Sequence, residues 1–241
     1  MKAVQISEHG GPEAMKYQDV ADLSPGEGQA LVEIQAVGVN FTDVYNRMGA
    51  NPGQPLPRTI GVEGAGTVRG VGSGVTQVKE GDVVAYCGTP GSYAEQALVP
   101  ASRLIKMPDG LDARAGAAAM LQGMTAHYLT HSLFPLAEGH TCLIHAGAGG
   151  MGQLAIQLAK MRGAEVIVTV GSEEKAEIAR QRGADHAILY RDMDADWEDV
   201  MRRVYRFLDM DIGPALPAMQ RYVRNAKSQH RWQCHRYDLT S

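Results

Sequence analysis

Up to about Pro108 the chain is a series of short β-type runs divided by glycines: KAVQI (2–6), ALVEIQAVGV (30–39), GTVRGVG (66–72), DVVAYC (82–87) and YAEQALV (93–99). Residues 32 to 36 alternate Val, Glu, Ile, Gln, Ala, as a strand covered on one face should. The pattern changes at Ala113. From there AGAAAMLQGMTAHYLTHSLF carries Ala, Met and Leu at helical spacing, which predicts a helix leading out of a β-rich domain and a boundary near Gly123. After Glu138-Gly139 the text alternates strand and helix. A strand at 141–146 (TCLIHA) passes through a glycine loop into a helix over about 152–162 that ends at Gly163. A second strand, EVIVTV (165–170), leads through Gly171 to Ser172 as a helix cap. Glu173 and Glu174 follow in the first turn, that helix ends at Gly183, and HAIL (186–189) is a third strand. Such alternation predicts a parallel sheet with crossover helices, so the fold class is α/β. From about Tyr205 the pattern stops, and an Arg-, Gln- and His-rich tail without a convincing strand predicts disorder or short helix.

Composition narrows the partners. The chain has 241 residues, 44% hydrophobic and 21% charged, which is enough for a sizeable core in one or two domains. A formal charge of -4, from 23 Lys and Arg against 27 Asp and Glu, gives no reason to expect nucleic acid. No secretory signal follows MKAVQISEHGG, no run approaches a membrane span, and Cys87, Cys142 and Cys234 stand far apart. The expected setting is a reducing one, the cytoplasm, with a small-molecule partner.

Candidate chemistry lies in AGAGGMG (146–152), a G-x-G-x-x-G at Gly147, Gly149 and Gly152 between a strand and a helix. In that context the first glycine permits a tight turn and the second lets a pyrophosphate approach the backbone. The third allows close helix–strand packing, and the free N–H groups of the helix receive the phosphate charge. The alternative is a glycine turn with a structural role only. No Gly-Lys-Ser/Thr follows, which argues against a nucleoside-triphosphate loop. At the end of the second strand, where a carboxylate would grip an unphosphorylated ribose, stand Gly171 and Ser172, with Lys175 one turn on. That favours NADPH over NADH, although Glu173 keeps NADH as the competing reading and Lys175 can also be read as a solvated surface residue.

GHTCLIHAGAGGMGQLAIQLAK (139–160) resembles the quinone oxidoreductase and zeta-crystallin signature of the medium-chain dehydrogenase/reductase superfamily. HGGPEAMKY (9–17), GVNFTDVYNRMG (38–49), GVEGAGTVRGVGSGV (61–75) and GDVVAY (81–86) are similar to the same family in the same order, so the resemblance covers about residues 1 to 204. It implies a chaperonin-10-like, β-rich substrate domain (1–122) beside an incomplete Rossmann doubly wound parallel sheet (123–204), followed by the divergent tail (205–241). It also implies hydride transfer from NADPH to a quinone or, alternatively, to a 2-alkenal or enone. A catalytically inactive NADPH-binding protein is the reading from another class.

The resemblance places the cofactor against Thr125, the loop Gly147, Ala148, Gly149, Gly150, Met151 and Gly152, and the group Gly171, Ser172, Lys175 and Tyr190, with Tyr190 over the adenine or reaching the phosphate. Asn40 would donate its amide to the substrate or hold the nicotinamide ribose, and Tyr45 would line the cleft and donate a proton. Each has a plainer reading: Asn40 caps a turn, Tyr45 packs with its hydroxyl at the surface, and Thr125 is an ordinary helix residue. Zinc-dependent relatives carry a cysteine near Asn40 and a histidine before the glutamate of Gly61-Val62-Glu63, and neither Asn nor Val replaces such ligands. No metal is expected, His127 and His131 being ordinary partly buried histidines and His230, Cys234 and His235 an accident of tail composition. Quinones and enones need less help than an alcohol would without a Lewis acid. Family members are often dimers or tetramers, so a homodimer is in view. They also continue beyond a segment like WEDVMRRV (197–204) with further strands, so the tail reads as a truncation or frameshift that would leave a sheet edge unpaired.

Overall fold

The computed structural model describes residues 1–50, 54–195, 197–207, 211–214 and 216–221. The chain divides into two units, Met1–Pro135 and the part from Leu136 onward.

In the first unit the elements are β1 (Lys2–Ile6), β2 (Lys16–Asp19), β3 (Gln29–Val37), α1 (Phe41–Met48), β4 (Arg58–Thr59), β5 (Glu63–Val71), β6 (Val83–Cys87), β7 (Gln96–Pro100), β8 (Ile105–Lys106) and α2 (Ala113–His127). Five strands form an antiparallel sheet in the order β7-β3-β5-β6-β8, and a smaller sheet runs β2-β1-β4. The alternation read in residues 32 to 36 is that of β3, whose Ala30 and Val32 enter a core with Val68, Val84 and Val99. Helix α2 packs on β3, β5 and β6. It can lie close because its contact face is small: Ala113 and Ala117 meet Ala65 and Ala85. Beyond His127 the helix widens into π-type turns over Tyr128–Leu133. Gly123, where the composition changes, lies inside α2.

In the second unit β9 (Thr141–His145), α3 (Gly150–Met161), β10 (Glu165–Val170), α4 (Glu173–Gln181) and β11 (His186–Leu189) alternate as expected, followed by α5 (Tyr190–Ala195) and α6 (Trp197–Phe207). The sheet is parallel, in the order β11-β10-β9. Helices cover the central strand β10, which explains its nearly unbroken apolar run: Val166, Ile167, Val168 and Val170 are all buried. Thr169, the polar exception, lies within hydrogen-bond distance of His145, Oγ1 to Nδ1 at 2.8 Å. Ile156 and Ala159 of α3 and Ala176 and Ala179 of α4 complete the core.

Strand boundaries fall within a few residues of the sequence reading, and β1, β10 and β11 match it residue for residue. Helix α1 and the short strands β2, β4 and β8 were not legible: β2 is exposed at every position, and β4 and β8 span two residues each. Past α6 the described part of the tail holds a helical segment at 216–221. His230, Cys234 and His235 lie outside the described residues. Among the described residues no helix is long and apolar enough to cross a membrane.

Candidate functional site

The glycine loop follows β9 directly. Ala146 takes the left-handed turn itself, at φ 53°, and Gly147 N donates to Thr169 O at 3.2 Å. Gly147 is required for packing rather than for the turn, because a Cβ there would stand 2.6 Å from Val168 Cβ. Gly149 then caps α3, and having no side chain it gives the helix N-terminus no side-chain cap. The N–H groups of the first turn are thus presented together with the positive end of the helix dipole, next to exposed Gly149 and Gly150. Gly152 lets this turn press on the loop: a Cβ there would lie 2.5 Å from Ala146 O and 2.8 Å from Gly147 O. Ala148 accepts at its carbonyl from Gln153 Nε2 at 2.9 Å, and Met151 sits half-buried in the same turn.

At the end of β10 the chain passes through Gly171 to Ser172, whose Oγ accepts from Lys175 N at 3.3 Å and caps α4. The Ser172 hydroxyl proton stays available for a ligand. Lys175 is exposed, and Glu173, the residue that kept NADH in play, is paired with Arg191 at 3.2 Å. Tyr190 joins the two halves of this site. Its hydroxyl accepts from Ala146 N at 3.1 Å, and its ring lies 3.7 Å from where a Gly171 Cβ would be. So Gly147 to Gly152, Gly171, Ser172, Lys175 and Tyr190 converge at the C-terminal ends of the parallel strands, where their N–H, hydroxyl and ammonium donors suit an anionic phosphate.

The first unit holds the other candidate residues. Asn40 caps α1, and Asp43 at the third helical position returns a carboxylate to it, accepting Asn40 N at 2.9 Å. This short helix is inverted. Asp43 and Arg47 are buried, at 4% and 8% exposure, while Phe41, Tyr45 and Met48 are more than half exposed. Exposed apolar side chains on one helix face, with Val39 just before it, make a surface suited to an apolar ring. Asn40 itself is buried and donates Nδ2 to Glu63 Oε2 at 2.7 Å. Glu63, fully buried at the start of β5, accepts at its other oxygen from Leu121 N of α2 at 2.6 Å. Tyr93 donates its hydroxyl to Asp43 Oδ2 at 2.9 Å. Thr125 donates its hydroxyl to Leu121 O at 2.7 Å, as an ordinary helical threonine does.

Burial pushes the carboxyls of both Glu63 and Asp43 up, against the N–H and O–H groups that favour their charged forms, and the Asp43 charge pushes Glu63 further. A carboxyl raised in the folded state favours folding below the ordinary carboxylate range and loses that contribution as pH rises through its raised value. The urea midpoint of the wild type should therefore fall relative to Glu63→Gln as pH rises above the ordinary carboxylate range of about 4. Parallel curves would show that Glu63 does not titrate above it.

Glu63, Asp43, Tyr93 and Gln122 were absent from the sequence-based candidates. The Asn40-x-x-Asp43 spacing is the sequence signal for the cap, whereas Glu63 stands out in the sequence only for the histidine missing before it.

Two family models match the chain: the alcohol dehydrogenase GroES-like domain over residues 26–109 and the zinc-binding dehydrogenase over residues 150–213. The quinone oxidoreductase of Pseudomonas aeruginosa is 44% identical over 209 residues, covering 86% of this chain and 63% of that protein. A 2-haloacrylate reductase of a Burkholderia species is 43% identical over 217 residues, covering 87% of this chain and 64% of that protein. The structure of Escherichia coli quinone oxidoreductase complexed with NADPH matches with a TM-score of 0.80 at 36% identity, over 86% of this chain and 62% of that one. The chain belongs to the medium-chain dehydrogenase/reductase superfamily. Within it, its likeness is to quinone oxidoreductases, and it spans just under two thirds of the length of these relatives.

Although one matching model carries zinc in its name, the residues here do not fit a zinc ion. Asn40 and Val62 stand at the two ligand positions the resemblance points to, and both Glu63 oxygens are occupied by N–H donors. His127 and His131 stack at 4.3 Å, and no group of three His, Cys, Asp or Glu suited to a metal occurs among the described residues.

Proposed function

We propose that the protein is a zinc-independent, NADPH-dependent oxidoreductase that delivers hydride to a quinone. The observation that carries this reading is the pairing of an uncapped α3 N-terminus at Gly149 with a β10 end that offers Ser172 and Lys175 and has Glu173 drawn off by Arg191. Bound there, NADPH supplies the hydride. The chain's own residues bind and orient: the glycine loop takes the pyrophosphate, and Ser172 and Lys175 take the 2′-phosphate. On the first unit, the exposed Phe41, Tyr45 and Met48 face offers an apolar surface for the quinone ring. In this reading Tyr45, half exposed, gives a proton to the reduced oxygen, and Asn40 and Thr125 of the same unit serve as polar groups of the site. The partner is a small molecule, and a homodimer in the cytoplasm belongs to the same proposal.

Titration of the 241-residue chain with NADPH and with NADH, followed by a quinone, tests it. Tighter NADPH binding and cofactor oxidation on adding quinone are the expected results, and equal affinity for both nucleotides would remove Lys175 and Ser172 from the phosphate. Lys175→Glu should weaken NADPH by about tenfold or more and leave NADH within about twofold, with the difference shrinking at high salt.

A second reading is supported by the likeness to a reductase whose name specifies a conjugated alkene, 2-haloacrylate. Side-by-side turnover of quinones and enones decides between the two. Cofactor binding without turnover of either class would support a non-catalytic NADPH-binding protein instead.

A further inference from the structure

Asn40 is almost fully buried, so any ligand meets whichever end of its amide is turned outward, and the orientation of that amide matters. An ionised carboxylate offers acceptors only, and each oxygen of Glu63 already takes one N–H: Oε2 from Asn40 Nδ2 and Oε1 from Leu121 N. The Leu121 donor is backbone and cannot be turned round. The nitrogen end of the Asn40 amide therefore faces inward, and Oδ1 faces Gln122, whose Nε2 approaches to 3.5 Å. Glu63 fits this place only because residue 38 is glycine, where a Cβ would lie far inside contact distance of the carboxylate. One carboxylate thus ties the start of β5 to the cap of α1 and to the middle of α2.

We propose that Glu63 is a positioning residue for Asn40: its buried carboxylate, held by Asn40 Nδ2 and Leu121 N, fixes the amide with its nitrogen inward, so that Asn40 turns its oxygen toward Gln122 and toward a ligand beside it. What Asn40 recognises is then a hydrogen-bond donor, a hydroxyl, and not the carbonyl oxygen of a quinone. This inference rests on the functional reading above only for Asn40's place in the reaction; the Glu63 geometry stands apart from it.

The test uses the full chain labelled with 15N-asparagine, which places label at only four positions, Asn40, Asn46, Asn51 and Asn225. The Asn40 side-chain pair is identified by its loss in Asn40→Asp. One Asn40 amide proton should exchange about tenfold or more slowly than those of an exposed asparagine. Glu63→Gln sets an NH2 group against the Asn40 NH2, because the oxygen of the new amide is claimed by Leu121 N, and the slow proton should be lost. In the double variant Asn40→Asp/Glu63→Gln the bond re-forms with reversed polarity. The introduced glutamine amide donates to the introduced aspartate, which still accepts from Gln122, and Leu121 N keeps its acceptor. The thermal midpoint lost in Glu63→Gln should then be recovered. In turnover, Glu63→Gln should lower kcat by about tenfold or more while the NADPH dissociation constant stays within about twofold.

An Asn40 proton that exchanges as in the wild type in Glu63→Gln, a kcat unchanged in that variant, or a double variant no more stable than Glu63→Gln would each overturn the proposal. If Glu63→Gln fails to fold, recovery of folding in the double variant supports it and failure to recover overturns it. A wild-type chain that oxidises no NADPH defeats the reading of the reaction alone, and the exchange and stability results still decide the role of Glu63.

Discussion

Gly152→Val should abolish NADPH binding and lower the thermal midpoint of the second unit, while Gly149→Trp should abolish binding with a much smaller loss of stability. The difference lies in what each side chain would strike. At Gly152 a Cβ would fall 2.5 Å from Ala146 O and 2.8 Å from Gly147 O, which are backbone atoms fixed between β9 and α3. Overpacking against atoms that cannot rotate away sits at the upper end of the usual range, about 3 kcal/mol or more. The turn of the loop and the first N–H groups of α3 would be displaced together. At Gly149 a Cβ would meet Ala146 O at 3.1 Å, and the residue is exposed, so an indole there projects into the space where a pyrophosphate would lie. Fluorescence titration with NADPH beside a thermal melt reads both effects, with Met161→Ala on the exposed face of α3 as the control expected to bind normally. Retention of NADPH binding by Gly149→Trp would move the cofactor away from this loop.

Glu63→Ala should destabilise the first unit by about 2–4 kcal/mol, enough to lower its midpoint by roughly 5–15 °C. Two buried donors lose their acceptor at once, Asn40 Nδ2 and Leu121 N, and a cavity opens beside Gly38. The carboxyl is raised by burial, so removing it also relieves a desolvation cost, and that relief keeps the loss below what two orphaned donors and a cavity would otherwise produce. Asp43→Ala, which removes the acceptor of Asn40 N and of the Tyr93 hydroxyl, affects the same cluster from the α1 side. The two losses should be less than additive, because Asn40 bonds both carboxylates and the Asp43 charge acts on Glu63. Denaturant unfolding of the single and double variants measures this, and strict additivity would mean that the two carboxylates act independently.

Wherever a local pattern and a local fold coincide, the sequence sufficed. The parallel strands were visible because EVIVTV is buried on both faces and so is apolar almost throughout, and the helices between them are closed by Gly163 and Gly183 in the left-handed region. The glycine loop was legible for a similar reason. Gly147, Gly149 and Gly152 lie close together in the chain, and their order between strand and helix is itself the constraint. Helix α1 was missed because its periodicity is inverted. Its apolar residues Phe41, Tyr45 and Met48 point outward and its charged Asp43 and Arg47 inward, the opposite of what a burial pattern reports.

What the sequence by itself determined is the order of elements, the β-rich and alternating α/β halves, the glycine loop between strand and helix and the absence of zinc-type residues at Asn40 and Val62. All of these are encoded over a few neighbouring positions. Only the tertiary structure decided that Ala146 rather than Gly147 makes the turn, that Tyr190 bridges from the end of β11 back to Ala146, and that Glu63 joins Asn40 to Leu121. The last two depend on partners 44 and 58 residues apart in the chain. A carboxylate at position 63 becomes a buried acceptor only when β5, α1 and α2 are packed around it. That burial fixes its hydrogen bonds and raises its pKa, and no spacing in the chain carries either property.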